Sequence, residues 1–459
     1  MNPLISINPY NNEEIGRYEQ DDSQTIKEKL NLSKSVQPNW SKLPITERQA
    51  YLRKIAAVLR KNKAQYGLLA TQEMGKPISQ GIAEVEKCAT SLEYYAENAP
   101  LFLANEIITI EQNNSHYISY QPIGTVLAIM PWNFPFWQVY RAMGPILLSG
   151  NTMVLKHASN VTACAISIEE VVREAGLPDG VFTLLKVSSE AVNEVIANPI
   201  INAVTFTGST NAGRKVAATA AQNLKKQVLE LGGSDAYVIL KDADLSIAVP
   251  TCVSGRLKNT GQSCVAAKRF VVEAPILADF ETQFVTLMEQ NRFGDPSDPS
   301  IDLGPMSRID LRDELHEQVM KSVALGAKIL TGGYIPEGTG AFYPPTVLTN
   351  VLPGMPAYDE ELFGPVASII KANDEADAIR IANDTQFGLG GAIFSNDVER
   401  ASRIAEEDLQ AGSIAVNDGV NSRPDMPFGG IKESGYGREL SRFGLLEFVN
   451  IKAISVKQQ

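Results

Sequence analysis

Cysteine and histidine are scarce in this chain of 459 residues, with four of the first and three of the second. Cys88, Cys164, Cys252 and Cys264 stand too far apart for a disulfide framework, and no two form a CxxC pair. His116, His157 and His316 join no Cys, Asp or Glu cluster with zinc-ligand spacing, so no metal is expected and a Ser or Cys triad has no obvious base. Long apolar runs are missing too. No stretch reaches the roughly 18 residues of a membrane span, and "MNPLISINPYNNEEIGRY" has no basic-then-apolar leader, so a cytoplasmic protein is expected. Dense positive charge is the third absence. The 41 basic residues are scattered and outnumbered by 53 acidic ones, which argues against partners such as nucleic acid or an anionic membrane.

With 44% hydrophobic and 20% charged residues, the chain has the composition of a folded protein with a sizeable core. Residues 23 to 104 space apolar positions three and four apart and predict helices. Around 116 the period changes. "IITIEQ" and "HYISYQP" alternate, predicting a projecting hairpin over 110–122. From 124 to 231, runs such as "TVLAIMP", "NTMVLK", "VFTLL" and "AVTFTGS" alternate with helical stretches, the pattern of a parallel sheet covered by helices. After "LGGSD" a second series begins, running from "AYVIL" through "RFVVE" to "GAIFS". The C-terminal stretch ends in an alternating strand with no obvious partner.

Cys264 sits in "KNTGQSCVAAKRF" with a basic pair, Lys268 and Arg269, just behind it. By itself such a thiol is more often an inert core residue than a nucleophile. Its neighbours change that. "PWNFP" (131–135), Lys156 in "LK", "FTGST" (206–210), "LELGGSD" (229–235), "GQSC" (261–264), "EELFGPV" (360–366) and "PFGGIKESGYGRE" (427–439) stand in one order. In that order, and in the 34-residue step from Glu230 to Cys264, the chain resembles the aldehyde dehydrogenase superfamily over essentially its whole length.

The resemblance implies an α/β fold with three parts. These are a Rossmann-like NAD(P)-binding domain (1–109 and 123–231), a second α/β catalytic domain (232–430), and a small β oligomerisation element (110–122 and 431–459) that makes a homodimer or homotetramer. It also implies an enzyme. Cys264 would attack an aldehyde to give a thiohemiacetal, the Asn133 amide and Cys264 N–H would hold the oxyanion, and hydride would pass to the nicotinamide. Glu230 would then activate water against the thioester; CoA-acylating relatives need no such base. Taken alone, Asn133 would be a turn residue between prolines and Glu230 a solvated strand cap or an ion-pair partner.

Cofactor contacts carried over are Trp132, Lys156, Gly208, Ser209, Leu231, Glu361 and Phe363. "TFTGSTNAG" offers a helix N-terminus to a pyrophosphate but lacks the G-x-G-x-x-G fingerprint. NAD-selective relatives commonly carry glutamate three residues after the lysine. Here that residue is Ser159, which favours NADP with NAD as second cofactor, unless its hydroxyl only caps the next helix.

"MPWNFPFWQVYRA" and "GRELSRFGL" most resemble bacterial succinate-semialdehyde dehydrogenases. In those enzymes an arginine at the place of Arg141, eight residues after Asn133, holds the distal carboxylate. The bland alternative ties Arg141 to a neighbouring acid. Lys258 stands where some have a second arginine, and Ser422 is a third candidate contact, with Arg423 its rival. A redox cysteine found two positions after the nucleophile in some relatives is Ala266 here. The expected small-molecule substrate is therefore succinate semialdehyde, with glutarate semialdehyde or uncharged aldehydes as alternatives. A cofactor-free thiol hydrolase is the reading from another class.

Overall fold

The structure, a computed structural model, describes residues 2–111 and 114–457. Leu52, Ile55, Ala56 and Leu59 fall on one face of the helix Ile45–Lys61 and are fully buried there. That face packs on the long helix Ile78–Phe102, which in turn covers the helix Trp137–Leu148.

Two largely parallel sheets organise the rest. In the first, the order is Gly435–Tyr436, Lys226–Glu230, Ile201–Thr207, Thr125–Met130, Thr152–His157, Phe182–Leu185. Every residue of Thr125–Met130 and Thr152–His157 is buried, as a sheet covered on both faces requires. In the second, Lys328–Thr331, Thr346–Thr349, Val366–Ala372, Ala267–Glu273, Asp235–Ile239, Gly390–Phe394 and Ser413–Val416 lie in that order. "SIAV" at its edge was not anticipated, being half-buried and only four residues long.

The third sheet corrects one expectation. The C-terminal strand Val449–Lys457 does have a partner: it pairs antiparallel with Asn114–Pro122 over its whole length, and Glu106–Glu111 lies on the other side. Residues 112 and 113 of the expected hairpin lie outside the described residues. Within the expected arm 431–459, Gly435–Tyr436 joins the first sheet, and Leu440, Leu445 and Phe448 are buried in that sheet's core.

Candidate active site

Cys264 follows a short stretch of unusual backbone. Asn259, Thr260 and Gly261 all take left-handed φ, at 55°, 55° and 74°. For the two non-glycine residues such a conformation costs about 1–2 kcal/mol each, and side-chain bonds hold it. Asn259 Nδ2 donates to the carbonyls of Asn133 (2.8 Å) and Gln262 (3.0 Å), and Gln262 Oε1 accepts from Ser307 N–H at 2.8 Å. A side chain at position 261 would stand 2.2 Å from the Gly364 carbonyl. The same network fixes Asn133, whose Nδ2 donates to the Gln262 carbonyl at 3.1 Å while its Oδ1 has no partner among the described residues.

Behind the thiol, Lys268 Nζ donates to the Cys264 carbonyl at 2.7 Å and meets Glu361 at 3.2 Å. Lys268, on the strand Ala267–Glu273, thus links the Cys264 turn to the "EELFGP" turn, a contact that its place in a basic pair does not reveal. Arg269 instead ties carbonyls of Ser234, Ile381 and Ala382 together. Burial pushes the Cys264 thiol up to about 12, with Arg141 opposing and Glu230 adding to the shift.

Glu230 ends a strand of the first sheet, is buried, and neither carboxylate oxygen has a partner among the described residues. Gly429 makes room for it, since a Cβ there would lie 2.7 Å from Glu230 Oε1. Burial first, then the neighbouring Glu439, raises the Glu230 pKa well above the usual carboxylate range; Arg141 works against both. Arg141 itself is buried, forms an ion pair with Glu439, donates to Thr207 Oγ1 at 3.3 Å and stands over the Phe428 ring. It has an acidic neighbour, as the bland alternative requires, yet its Nε is unpartnered and it lines the cleft beside Cys264.

Two clefts reach the thiol, and Cys264 is the residue common to both linings. One, of about 270 Å³, is lined by Trp132, Asn133, Gly208, Ser209, Leu231, Glu361 and Phe363. Trp132 and Phe363 meet edge to face at 5.8 Å, Glu361 Oε1 accepts from Gly233 N–H at 3.0 Å, and Ser209 caps the helix Thr210–Gln222. Lys156 and Ser159 do not line this cleft. Lys156 lies near the C-terminal end of the strand Thr152–His157, where burial alone lowers its pKa to about 8, and Ser159 begins the short helix just after that strand. The Ser159 side chain caps neither following helix, and its carbonyl accepts from Thr162 Oγ1.

The other cleft, of about 650 Å³, holds Arg141, Lys258 and Ser422, and also Lys87, which sequence spacing did not single out. Lys258 Nζ donates to Asn421 Oδ1 at 3.2 Å, and Lys87 Nζ to Ser422 Oγ at 2.7 Å. The histidines are engaged elsewhere: His157 with the Pro135 carbonyl, His316 with Tyr343 and His116 with Ser455.

A thiol where a glycine-rich helix-start cleft meets a cationic cleft defines a class, and the model of the aldehyde dehydrogenase family matches residues 2–454. The chain belongs to that family. It is 46% identical over 450 residues to the succinate semialdehyde dehydrogenase [NAD(P)+] of Escherichia coli (strain K12), covering 98% of this chain and 97% of that one. It is 42% identical to the probable succinate-semialdehyde dehydrogenase [NADP(+)] of Synechocystis sp., covering 98% and 99%. The Streptococcus pyogenes succinic semialdehyde dehydrogenase, solved in complex with NADP+, superposes with a TM-score of 0.96 at 37% identity, covering 99% and 100%.

Proposed function

We propose that the protein oxidises succinate semialdehyde to succinate, with NADP as preferred cofactor and NAD as second. The observation that carries this is the meeting of the two clefts at Cys264, one cationic and one opening on a helix N-terminus. A carboxylate at the far end of the substrate suits Arg141, Lys258 and Ser422. Glutarate semialdehyde, one methylene longer, would be a poorer but overlapping substrate, because a methylene discriminates by about 1–3 kcal/mol.

The residues present fit a dinucleotide. Lys156 is a buried cation with no ion-pair partner among the described residues, Gly208 and Ser209 begin a helix whose first N–H groups suit a pyrophosphate, and Glu361 and Phe363 flank the approach to the thiol. The Ser159 hydroxyl, free of any capping duty, supports a 2′-phosphate.

Cys264 Sγ adds to the aldehyde carbon as its proton passes to solvent water in the cleft. The Asn133 amide and Cys264 N–H take the developing oxyanion. A nicotinamide dinucleotide, when bound, supplies the oxidant that turns this adduct into a thioester by accepting a hydride. Glu230 then takes a proton from water, whose oxygen attacks the thioester and releases carboxylate and thiol.

In this reading the first sheet and its helices bind cofactor, and the second carries the nucleophile. The three-stranded sheet joins subunits into a homodimer or homotetramer. A cytoplasmic setting is supported by four free cysteines.

Cys264→Ala is expected to abolish oxidation while NADP affinity, measured by calorimetry, changes less than about threefold, since a thiol adds little to dinucleotide binding. A variant that keeps most of its turnover would refute the mechanism.

A further inference from the structure

Lys87 projects from the helix Ile78–Phe102 into the cationic cleft, with its ammonium 4.0 Å from the centre of the Trp137 ring. We infer that Lys87 is a specificity-determining residue, gripping the distal carboxylate of an acid aldehyde together with Lys258. This rests on the proposed reading that the substrate carries such a carboxylate.

Three observations support it. The ammonium's protein partners are the neutral Ser422 hydroxyl and the Trp137 face, and it makes no ion pair among the described residues. The carboxylate on its own helix that faces the cleft, Glu84, is already taken by Lys76 and by the N–H groups of Phe136 and Trp137. Arg141, on the helix packed against it, is paired with Glu439, so the cations without a carboxylate on this wall are Lys87 and Lys258.

The surroundings also make the grip sensitive to pH. Burial, then Lys258 and Arg141, bring the Lys87 pKa down to about 7, while Cys88 and Glu84 oppose weakly. A bound carboxylate favours the ammonium form and raises that value. Binding of an acid aldehyde is therefore strongest below about pH 7 and weakens as pH rises through the pKa of the empty site.

The test compares KM for succinate semialdehyde and butanal across pH in the whole enzyme with NADP. In the wild type, KM for succinate semialdehyde should rise above pH 7 and that for butanal should not. Lys87→Met should raise KM for succinate semialdehyde about 10- to 100-fold more than KM for butanal and flatten its pH dependence; Lys87→Arg should restore much of the preference. A wild-type preference for succinate semialdehyde with a pH-independent KM, or a Lys87→Met variant that shifts both aldehydes equally, overturns the role of Lys87 alone. No wild-type preference for the charged aldehyde overturns the substrate reading and this inference together.

Discussion

Among the described residues Glu230 has no hydrogen-bond partner for either oxygen, and Glu439 beside it is itself bound to Arg141. A base acts only when deprotonated, and burial raises its pKa, so kcat should rise with pH through a midpoint above the usual carboxylate value of about 4.3. Glu230→Gln should remove that limb and lower kcat about 10²- to 10⁴-fold, leaving a first burst of about one reduced cofactor per site. Loss of the burst would place Glu230 before oxidation. At Ser159, glutamate should bind ribose hydroxyls and repel a 2′-phosphate, so Ser159→Glu should move the ratio of specificity constants from NADP toward NAD. An unchanged ratio would assign selectivity elsewhere. Cys264, Asn133 and Glu230 could be singled out as candidates because each sits inside a contiguous motif. Lys87 could not: helical spacing says which face of Ile78–Phe102 is buried, not that Ser422 from a distant loop meets it. The Arg141–Glu439 pair is equally non-local, joining a helix to the C-terminal segment.

Among the elements, strands with unbroken apolar runs were legible because the covered sheets demand them, whereas Val449–Lys457 showed its alternation but not its partner. Pairing with Asn114–Pro122 leaves a three-stranded sheet with outward apolar side chains: Ile107, Ile108 and Ile110 are 68%, 61% and 71% exposed, and Ile451 is 57% exposed. An apolar surface of this kind with free strand edges invites a second copy. Light scattering at micromolar concentration should give a dimer or a tetramer. A monomer would contradict the assembly role of this sheet. The left-handed run Asn259–Gly261 could not be foreseen, because its support comes from Asn133 and Ser307, and the carbonyl that excludes a side chain at 261 comes from Gly364, all in other parts of the chain.

At the scale of the molecule, the first sheet brings Glu230 and the helix start at Ser209, the second brings Cys264, and helices before the first sheet bring Lys87. The alternation of strand and helix foretold both sheets, but which face of each turns toward the other depends on packing among residues far apart in the chain. Charge separates the clefts: three cations line one of them, and an uncharged aldehyde gains nothing from those cations. The decisive measurement is the ratio of kcat/KM for succinate semialdehyde to that for butanal, followed by reduced-cofactor absorbance with NADP. Loss of a buried charged partner costs about 2–5 kcal/mol, so a ratio of roughly 10² or more is expected; a ratio near one would contradict the assignment of an acid semialdehyde as substrate.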